Sequence, residues 1–325
     1  MSDSFIYPNG RISGQEETIL SRRMWQMLMA ASGEEEVLRL LGDTWYGEFL
    51  QYHSMEECFA RAMERTEDEL TELSEDRRLV DGILNRRDVR NARYLWKDAL
   101  TDSETGRGPI PTEKPGLIDI ETLRRSVTSE EVRETLPKAF SLSLEDLLEM
   151  GPSPGAEFDR RMDRLAGKIE IDGLGSIHPD LELFARTNIE QRNFLTAGRC
   201  HLEEMPAREI GGMLLPEGFH TADEISRAYQ KQELAELLYE TPGMEEMSAA
   251  FREAMDNGSF LSFEKESDRR LLQLLQEAAF PVFGPTPLAA FVLRREMEIA
   301  HLKLLLAAKS AGVPEARLRS RLPRG

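Results

Sequence analysis

Residues 287–322 read PLAAFVLRREMEIAHLKLLLAAKSAGVPEARLRSRL, and the spacing inside this stretch decides the fold class. Leu288, Phe291, Val292, Ile299, Leu302, Leu305 and Leu306 recur at three- and four-residue steps, which places them on one stripe of a long α-helix. Arg294, Arg295, Glu296, Glu298 and Lys303 are expected mostly on the other side. Pro285 and Pro287 stand where a helix can start. Gly312 ends it, and Pro314 opens a short second helix as a first-turn proline would.

Weaker copies of this unit occur earlier. Asp88–Lys97 (DVRNARYLWK), Asn188–Ala197 (NIEQRNFLTA) and Glu298–Ala307 (EIAHLKLLLA) align without gaps. Each opens on a polar residue, has another three later and carries Leu seven along. Each is followed by a glycine-bearing loop: Gly106 and Gly108, then Gly211 and Gly212, then Gly312. A second unit recurs as Ser129–Leu136, Lys231–Leu238 and Gly33–Leu41, an acidic start before an apolar pair four residues apart. In the middle of the chain the order is first unit, then second. At the ends the halves are separated. Three repeats with the third shared between the termini would bring the chain ends together and close a ring. The divisions expected are 76–155, 156–262, and 1–75 with 263–325.

The residues carrying these patterns resemble a known family. The C-terminal EMEIAHLKLLLAAKSAGVPEARLRSRL looks like the end of the C subunit of V-type and A-type rotary ATPases, whose eukaryotic member is the d subunit of the V-ATPase. The run Tyr7–Gly47, with ETILSRRMWQMLMAASGEEEVLRLLGDTWYG, looks like that family's opening, and DVRNARYLWK and NIEQRNFLTAGR match its internal helices. The resemblance covers nearly the whole length in order, on diffuse helix patterns with no invariant catalytic box. One departure is Pro8-Asn9-Gly10, where the family has good helix formers; it predicts a first helix starting late, near Glu16. The resemblance implies three helical repeats in a funnel of pseudo-threefold symmetry. It implies a non-catalytic rotor-linker whose open end receives the central-shaft subunits and whose closed end sits on the cytoplasmic face of the membrane rotor ring. Torque through this body would couple ATP turnover to proton or sodium transport.

Composition narrows the classes. The 325 residues are 31% charged and 40% apolar, with a net charge of −18. A nucleic-acid binder would show a basic face, and an anionic membrane would repel this chain. No apolar run reaches the length of a membrane span, so no membrane insertion is expected. MSDSFIYPNG lacks the basic and apolar regions of a secretory leader. Cys58 and Cys200 are expected to be reduced, which fits a cytoplasmic protein bound peripherally through its complex.

Along the chain, residues 16–31 read as a helix with Leu20, Met24, Met27, Leu28 and Ala31 on one face, followed by a short helix at 34–41. Helices follow at 54–73 and 76–100. The second of these holds Arg77, Arg78, Arg86, Arg87, Arg90 and Arg93, the most basic stretch of an acidic chain. These arginines either bridge to the Glu-rich helix before them or, at Arg86, Arg87 and Arg90, form an interface for an acidic partner. TDSETGRGPIPTEKPG at 101–116 reads as a loop. Three short helices are expected in 119–150, and GPSPG at 151–155 as a linker. A helix at 156–171 is expected to turn at Gly173-Leu-Gly175, and another at 178–199 leads to a glycine-bearing loop. Helices at 221–240 (two), 244–256 and 263–280 complete an all-α chain, since period-two alternation is nowhere sustained.

No constellation points to catalysis. Glu298-x-x-His301 has di-iron spacing but needs a second such helix. Glu217-x-x-His220 lies in a Pro/Gly loop. His53, His178 and His201 have no ligand spacing, Cys200-His201 has no nucleophile signature, and Asp159 and Asp163 read as a solvated helix pair. No catalytic, cofactor-binding or metal-binding residue is therefore assigned. The competing readings are a helical-bundle enzyme of isoprenoid or di-iron type and a generic helical scaffold.

Overall fold

The computed structural model describes residues 5–52, 54–100, 114–151, 155–281 and 283–323, and among these every regular element is helical. The N-terminal part carries α1 (Ile6–Gln15), α2 (Arg22–Ala30), α3 (Glu34–Gly42) and the long α4 (Met55–Leu73). Long α5 (Arg77–Leu100) leads to short α6 (Ile120–Ser126), α7 (Glu130–Glu134) and α8 (Lys138–Glu149), then long α9 (Gly155–Ile177). Long α10 (Pro179–Leu202) leads to short α11 (Ala207–Ile210), α12 (Ala222–Lys231), α13 (Leu234–Glu240) and α14 (Glu245–Asn257), then long α15 (Leu261–Ala279). Long α16 (Thr286–Ser310) and short α17 (Glu315–Arg321) end the chain. The expected loop residues 101–113, the linker residues 152–154 and His53 lie outside the described residues.

Local chemistry sets the boundaries. Ser21, Ser54, Asp119, Ser129 and Thr221 each accept a backbone N–H from the first turn of the helix they precede. Gly258 and Gly312 close α14 and α16 at φ of 71° and 67°, a left-handed backbone that costs glycine little.

The six long helices make a closed circuit. α4 packs on α5, α5 on α9, α9 on α10, α10 on α15, α15 on α16, and α16 back on α4. Cross-helix pairs show that neighbours run antiparallel. Arg93 meets Asp163 while Gly82 abuts Gly173, and Arg199 meets Glu264 while Gln191 reaches the Ser267 carbonyl. The turns at 74–76, 178 and 280–285 therefore lie at the same end. The main apolar core joins α2–α4 to α15–α17, so the two ends of the chain share it. Smaller cores lie under α6–α8, around Trp96 and Phe140, and under α11–α14, around Phe194 and Phe251.

Four expectations are corrected. First, α1 begins at Ile6 despite Pro8-Asn9-Gly10. Pro8 sits in the first turn, where its missing N–H has no intrahelical partner to lose. Second, 16–31 is not one helix. A 3₁₀ turn at Glu16–Thr18 gives way to extended Ile19, and α2 restarts after Ser21. The Leu20 N–H is donated to Glu298 across the chain ends, which takes it out of any helix ladder. The buried face of α2 is Trp25, Leu28 and Met29, while Met27 is exposed. Third, Gly173-Leu-Gly175 does not turn the chain. α9 continues through it because the two glycines Gly82 and Gly173 let α5 and α9 touch backbone to backbone: a Cβ on Gly173 would sit 3.2 Å from the Gly82 Cα. Fourth, Arg295 and Glu298 are fully buried, not on the outer side of α16. Phe291, Arg295, Glu298, Leu302 and Leu305 follow four- and three-residue steps, so the two charges lie on the apolar stripe itself.

Candidate functional site

Three buried carboxylates hold three loops. Asp88 on α5 accepts the N–H groups of Gly116 (3.0 Å), Leu117 (2.8 Å) and Ile118. Glu190 on α10 accepts those of Phe219 (2.9 Å) and His220 (3.4 Å). Glu298 on α16 accepts that of Leu20 (2.7 Å). Each held loop runs directly into a capping residue, Asp119, Thr221 or Ser21, and then a short helix. In the first two cases the acid lies 30 residues before the residue preceding that cap. Three residues beyond the acid, Asn91 donates to the Lys114 carbonyl and Asn193 to the Leu215 carbonyl, again fixing the loop. The counterpart of Asp88 is thus Glu190, two residues beyond the Asn188 that the gapless alignment paired with it. Sequence spacing could not detect the shift because the polar-x-x-polar pattern fits both registers and the Leu seven along, Leu195, fits only that of Asn188.

Two residues before each acid stand Arg86, Asn188 and Glu296. They converge. The Arg86 guanidinium pairs with Glu296 and, at 3.1 Å, with Glu170 of α9, which also takes the Asn188 amide at 3.4 Å. Burial works against the charge on Arg86, but Glu296 and Glu170 outweigh it and hold the group firmly protonated. Burial likewise pushes the Glu296 carboxyl up, and the positive charges of Arg86 and Arg90 more than reverse it. This cluster ties α5, α9, α10 and α16 together inside the circuit of long helices.

The arginines singled out in the sequence are brought together, and each is paired within the chain. Arg87 is buried against Glu67 at 2.7 Å and also bonds to Asp68 and the Pro115 carbonyl. Arg90 bonds to Glu67 and Glu296, and with 41% of its side chain exposed it is the most open of the three. Arg90 borders a cleft of about 250 Å³ with Phe59, Met63, Tyr94, Ile299 and Lys303 on its walls. Glu67, the partner that sequence reading missed, was findable: Phe59, Met63, Glu67 and Leu70 share one helical stripe, so its acid had to be buried.

The candidate chemical residues are engaged elsewhere. Glu298 binds Leu20, Tyr46 and Arg295, while His301 binds Asp268 at 3.0 Å. His220 pairs with Glu190, whose hydrogen bond raises its pKa, and His178 caps α10. Asp159 and Asp163 pair with Lys97, Arg93 and Arg192. Cys58 and Cys200 are buried free thiols whose pKa burial pushes up, which disfavours the reactive thiolate. Among the described residues no three His, Cys, Asp or Glu side chains gather as metal ligands.

Asp88 makes this site pH-sensitive. Burial pushes its carboxyl up to about 6, against the pull of three backbone N–H donors. The folded value lies above the unfolded one, so the folded chain holds the extra proton between roughly pH 4 and pH 6. The stability contributed by Asp88 is fullest below roughly pH 4 and declines as pH rises through 6. Urea titrations of the protein and of Asp88→Asn, which cannot titrate, isolate the effect. The difference between them is expected to shrink from pH 4 to pH 7. A difference that stays flat or grows would mean that the N–H donors keep the carboxylate charged.

The family model described as ATP synthase (C/AC39) subunit matches residues 8–321. The C subunit of the A-type ATP synthase of Desulfurococcus sp. (strain SY) is 24% identical, over 97% of this chain and 89% of that protein. The protein of the same name from Methanothermobacter thermautotrophicus is 22% identical over 98% and 87%, respectively. That of Thermococcus onnurineus is 24% identical over 97% and 89%.

Proposed function

This chain belongs to the ATP synthase (C/AC39) subunit family, and from that premise we propose that it is the non-catalytic linker between the central shaft and the membrane rotor ring. It is a subunit of a rotary ATP synthase, and its partners are other subunits of that complex. Among the described residues no helix is long and apolar enough to cross a membrane. The linker would therefore sit on the rotor ring from outside the bilayer, on the cytoplasmic side, and couple ATP turnover to proton or sodium movement by transmitting torque.

The observation that carries this reading is the match in order across residues 8–321. The physical support is stiffness. A circuit of six antiparallel helices, closed by one core shared between the chain ends and tied internally by the Arg86–Glu296–Glu170 cluster, resists twisting. We propose that the circuit comprises three repeats around a funnel. One runs from α5 to α9, one from α10 to α15, and one is made of α16–α17 with α1–α4. The equivalent loop holds of Asp88, Glu190 and Glu298 support this division, which moves the boundaries expected at 155 and 262 to the turns at 178 and 280–285.

The test is a pull-down of the tagged protein from its own cells in mild detergent. Shaft and rotor-ring subunits are expected in the eluate. A chain recovered alone and monomeric would remove the linker role. Of the three arginines, all internally paired, we propose that Arg90 faces the shaft, since 41% of its side chain is exposed whereas Arg86 and Arg87 are buried in their pairs. Arg90→Gln, which keeps an amide donor beside Glu67 and Glu296, is expected to weaken shaft recovery about tenfold with helicity unchanged. Full recovery would take Arg90 out of the interface and leave the family assignment intact.

A further inference from the structure

Two residues beyond each of the three loop-holding acids stand Arg90 after Asp88, Arg192 after Glu190 and Ala300 after Glu298. The two arginines are taken up in pairs, Arg90 with Glu67 and Glu296 and Arg192 with Asp163. Ala300 offers only a methyl group, and it lines the cleft of about 250 Å³ between α4, α5 and α16. Ala60 lines the same cleft from α4, so small side chains on both helices leave the space open.

The walls of the cleft change along its length. At one end Arg90 is shared between Glu67 and Glu296, so the charges there compensate one another. Phe59, Met63 and Ile299 make the middle apolar. Glu56 lies about three turns of α4 from Glu67, and Lys303 about two turns of α16 from Glu296. As α4 and α16 run antiparallel, both steps lead to the same far end. There the Tyr94 hydroxyl donates to Glu56 at 2.7 Å and fixes its carboxylate. The remaining charges on the walls are spoken for: Glu64 pairs with Arg61, while Glu67, Arg87, Arg90 and Glu296 pair among themselves. Glu56 and Lys303 are exposed, and neither has an ion pair with the other or with any described residue.

We propose that this cleft binds a free α-amino acid with an apolar side chain. The side chain lies between Phe59, Met63 and Ile299, the ammonium group meets Glu56 and the carboxylate meets Lys303. Apolar walls with a few polar groups at one end are the usual make-up of a small-molecule site. A cavity of about 150 Å³ takes benzene, so this one has room for a ring or a branched chain. Only a zwitterion satisfies both rim charges. A simple carboxylate would meet Lys303 and set its charge against Glu56, and a simple amine would do the reverse. Both rim charges are exposed and screened, so each contact contributes modestly and the expected Kd is about 1 mM. Such a site is independent of the linker role: it needs the three helices and no partner subunit.

The test is calorimetric titration of the purified full chain with L-phenylalanine, L-leucine and glycine, and with the half-ligands 3-phenylpropionate and 2-phenylethylamine. L-phenylalanine or L-leucine is expected to saturate, and glycine, which has no side chain, is expected not to bind. Each half-ligand is expected to bind about fivefold more weakly than L-phenylalanine, as are Glu56→Gln and Lys303→Gln toward the amino acid. Ala300→Phe, which fills the cleft from an exposed position, is expected to abolish binding with the urea midpoint unchanged. Absence of saturation with both apolar amino acids overturns the site. Binding by Ala300→Phe equal to wild type places any ligand elsewhere and overturns it too. A half-ligand that binds as tightly as L-phenylalanine overturns the zwitterion, and glycine binding as tightly overturns the role of the apolar walls.

Discussion

Glu298→Ala is expected to lower the unfolding free energy by about 3–5 kcal/mol, the cost of leaving a buried charge without its counterion. The Glu298 carboxylate is fully buried and accepts from the Leu20 N–H at 2.7 Å, the Tyr46 hydroxyl at 2.8 Å and the Arg295 guanidinium at 2.9 Å. Arg295 is equally buried, lying 4.1 Å from the centre of the Trp45 ring, with further bonds to the Thr18 carbonyl and hydroxyl. Burial and the negative charge of Glu298 drive the Tyr46 pKa well up, so its phenol stays a donor. Once the carboxylate is gone, Arg295 keeps only neutral acceptors and ring faces, and two donors lose their partner. These bonds join residues 278 and 252 apart in sequence, so the loss also frees the N-terminal helices from α16. Replacing both charges, as in Arg295→Met/Glu298→Met, removes the stranded ion and is expected to recover most of the stability. Urea unfolding followed by tryptophan fluorescence measures both. A loss below about 1 kcal/mol for Glu298→Ala would falsify the claim that this pair holds the seam.

Gly173→Leu is expected to cost about 3 kcal/mol or more and to separate α5 from α9. Even a methyl at this position would lie 3.2 Å from the Gly82 Cα, which is backbone and cannot rotate away. A leucine forces the helices apart, and with them the Arg93–Asp163 and Lys97–Asp159 pairs further along the same contact. Gly175→Ala is the control, because a methyl there meets only the flexible Glu182 side chain at 3.4 Å or more. Its helix propensity favours alanine by about 1 kcal/mol. The two variants should therefore move the thermal midpoint in opposite directions. A shift of Gly173→Leu no larger than that of the control would show that the close crossing carries no weight.

The misreadings have specific physical causes. Glycines at 173 and 175 look the same in a string whether they bend a chain or let a neighbour approach, and only the position of Gly82 decides between them. Proline at 8 looks like a breaker until the helix start is known to lie two residues before it. The burial of Arg295 and Glu298 was legible, since both fall on the stripe with Phe291, Leu302 and Leu305, but expecting charges to face water overrode the spacing. The internal pairing of Arg86 with Glu296 was not legible, because nothing local links residues 210 apart.

What depends on near neighbours could be read from the string of residues. Periodicity made the chain all-α, proline and glycine placed several helix ends, and ordered patterns along its length carried the family resemblance. What depends on distant partners emerged only in three dimensions: that the long helices close a circuit, which acid holds which loop, and which charges are buried. The difference is one of range. Helix formation is set by residues three and four apart, whereas the energy of a buried charge is set by whatever the fold brings within a few ångströms of it.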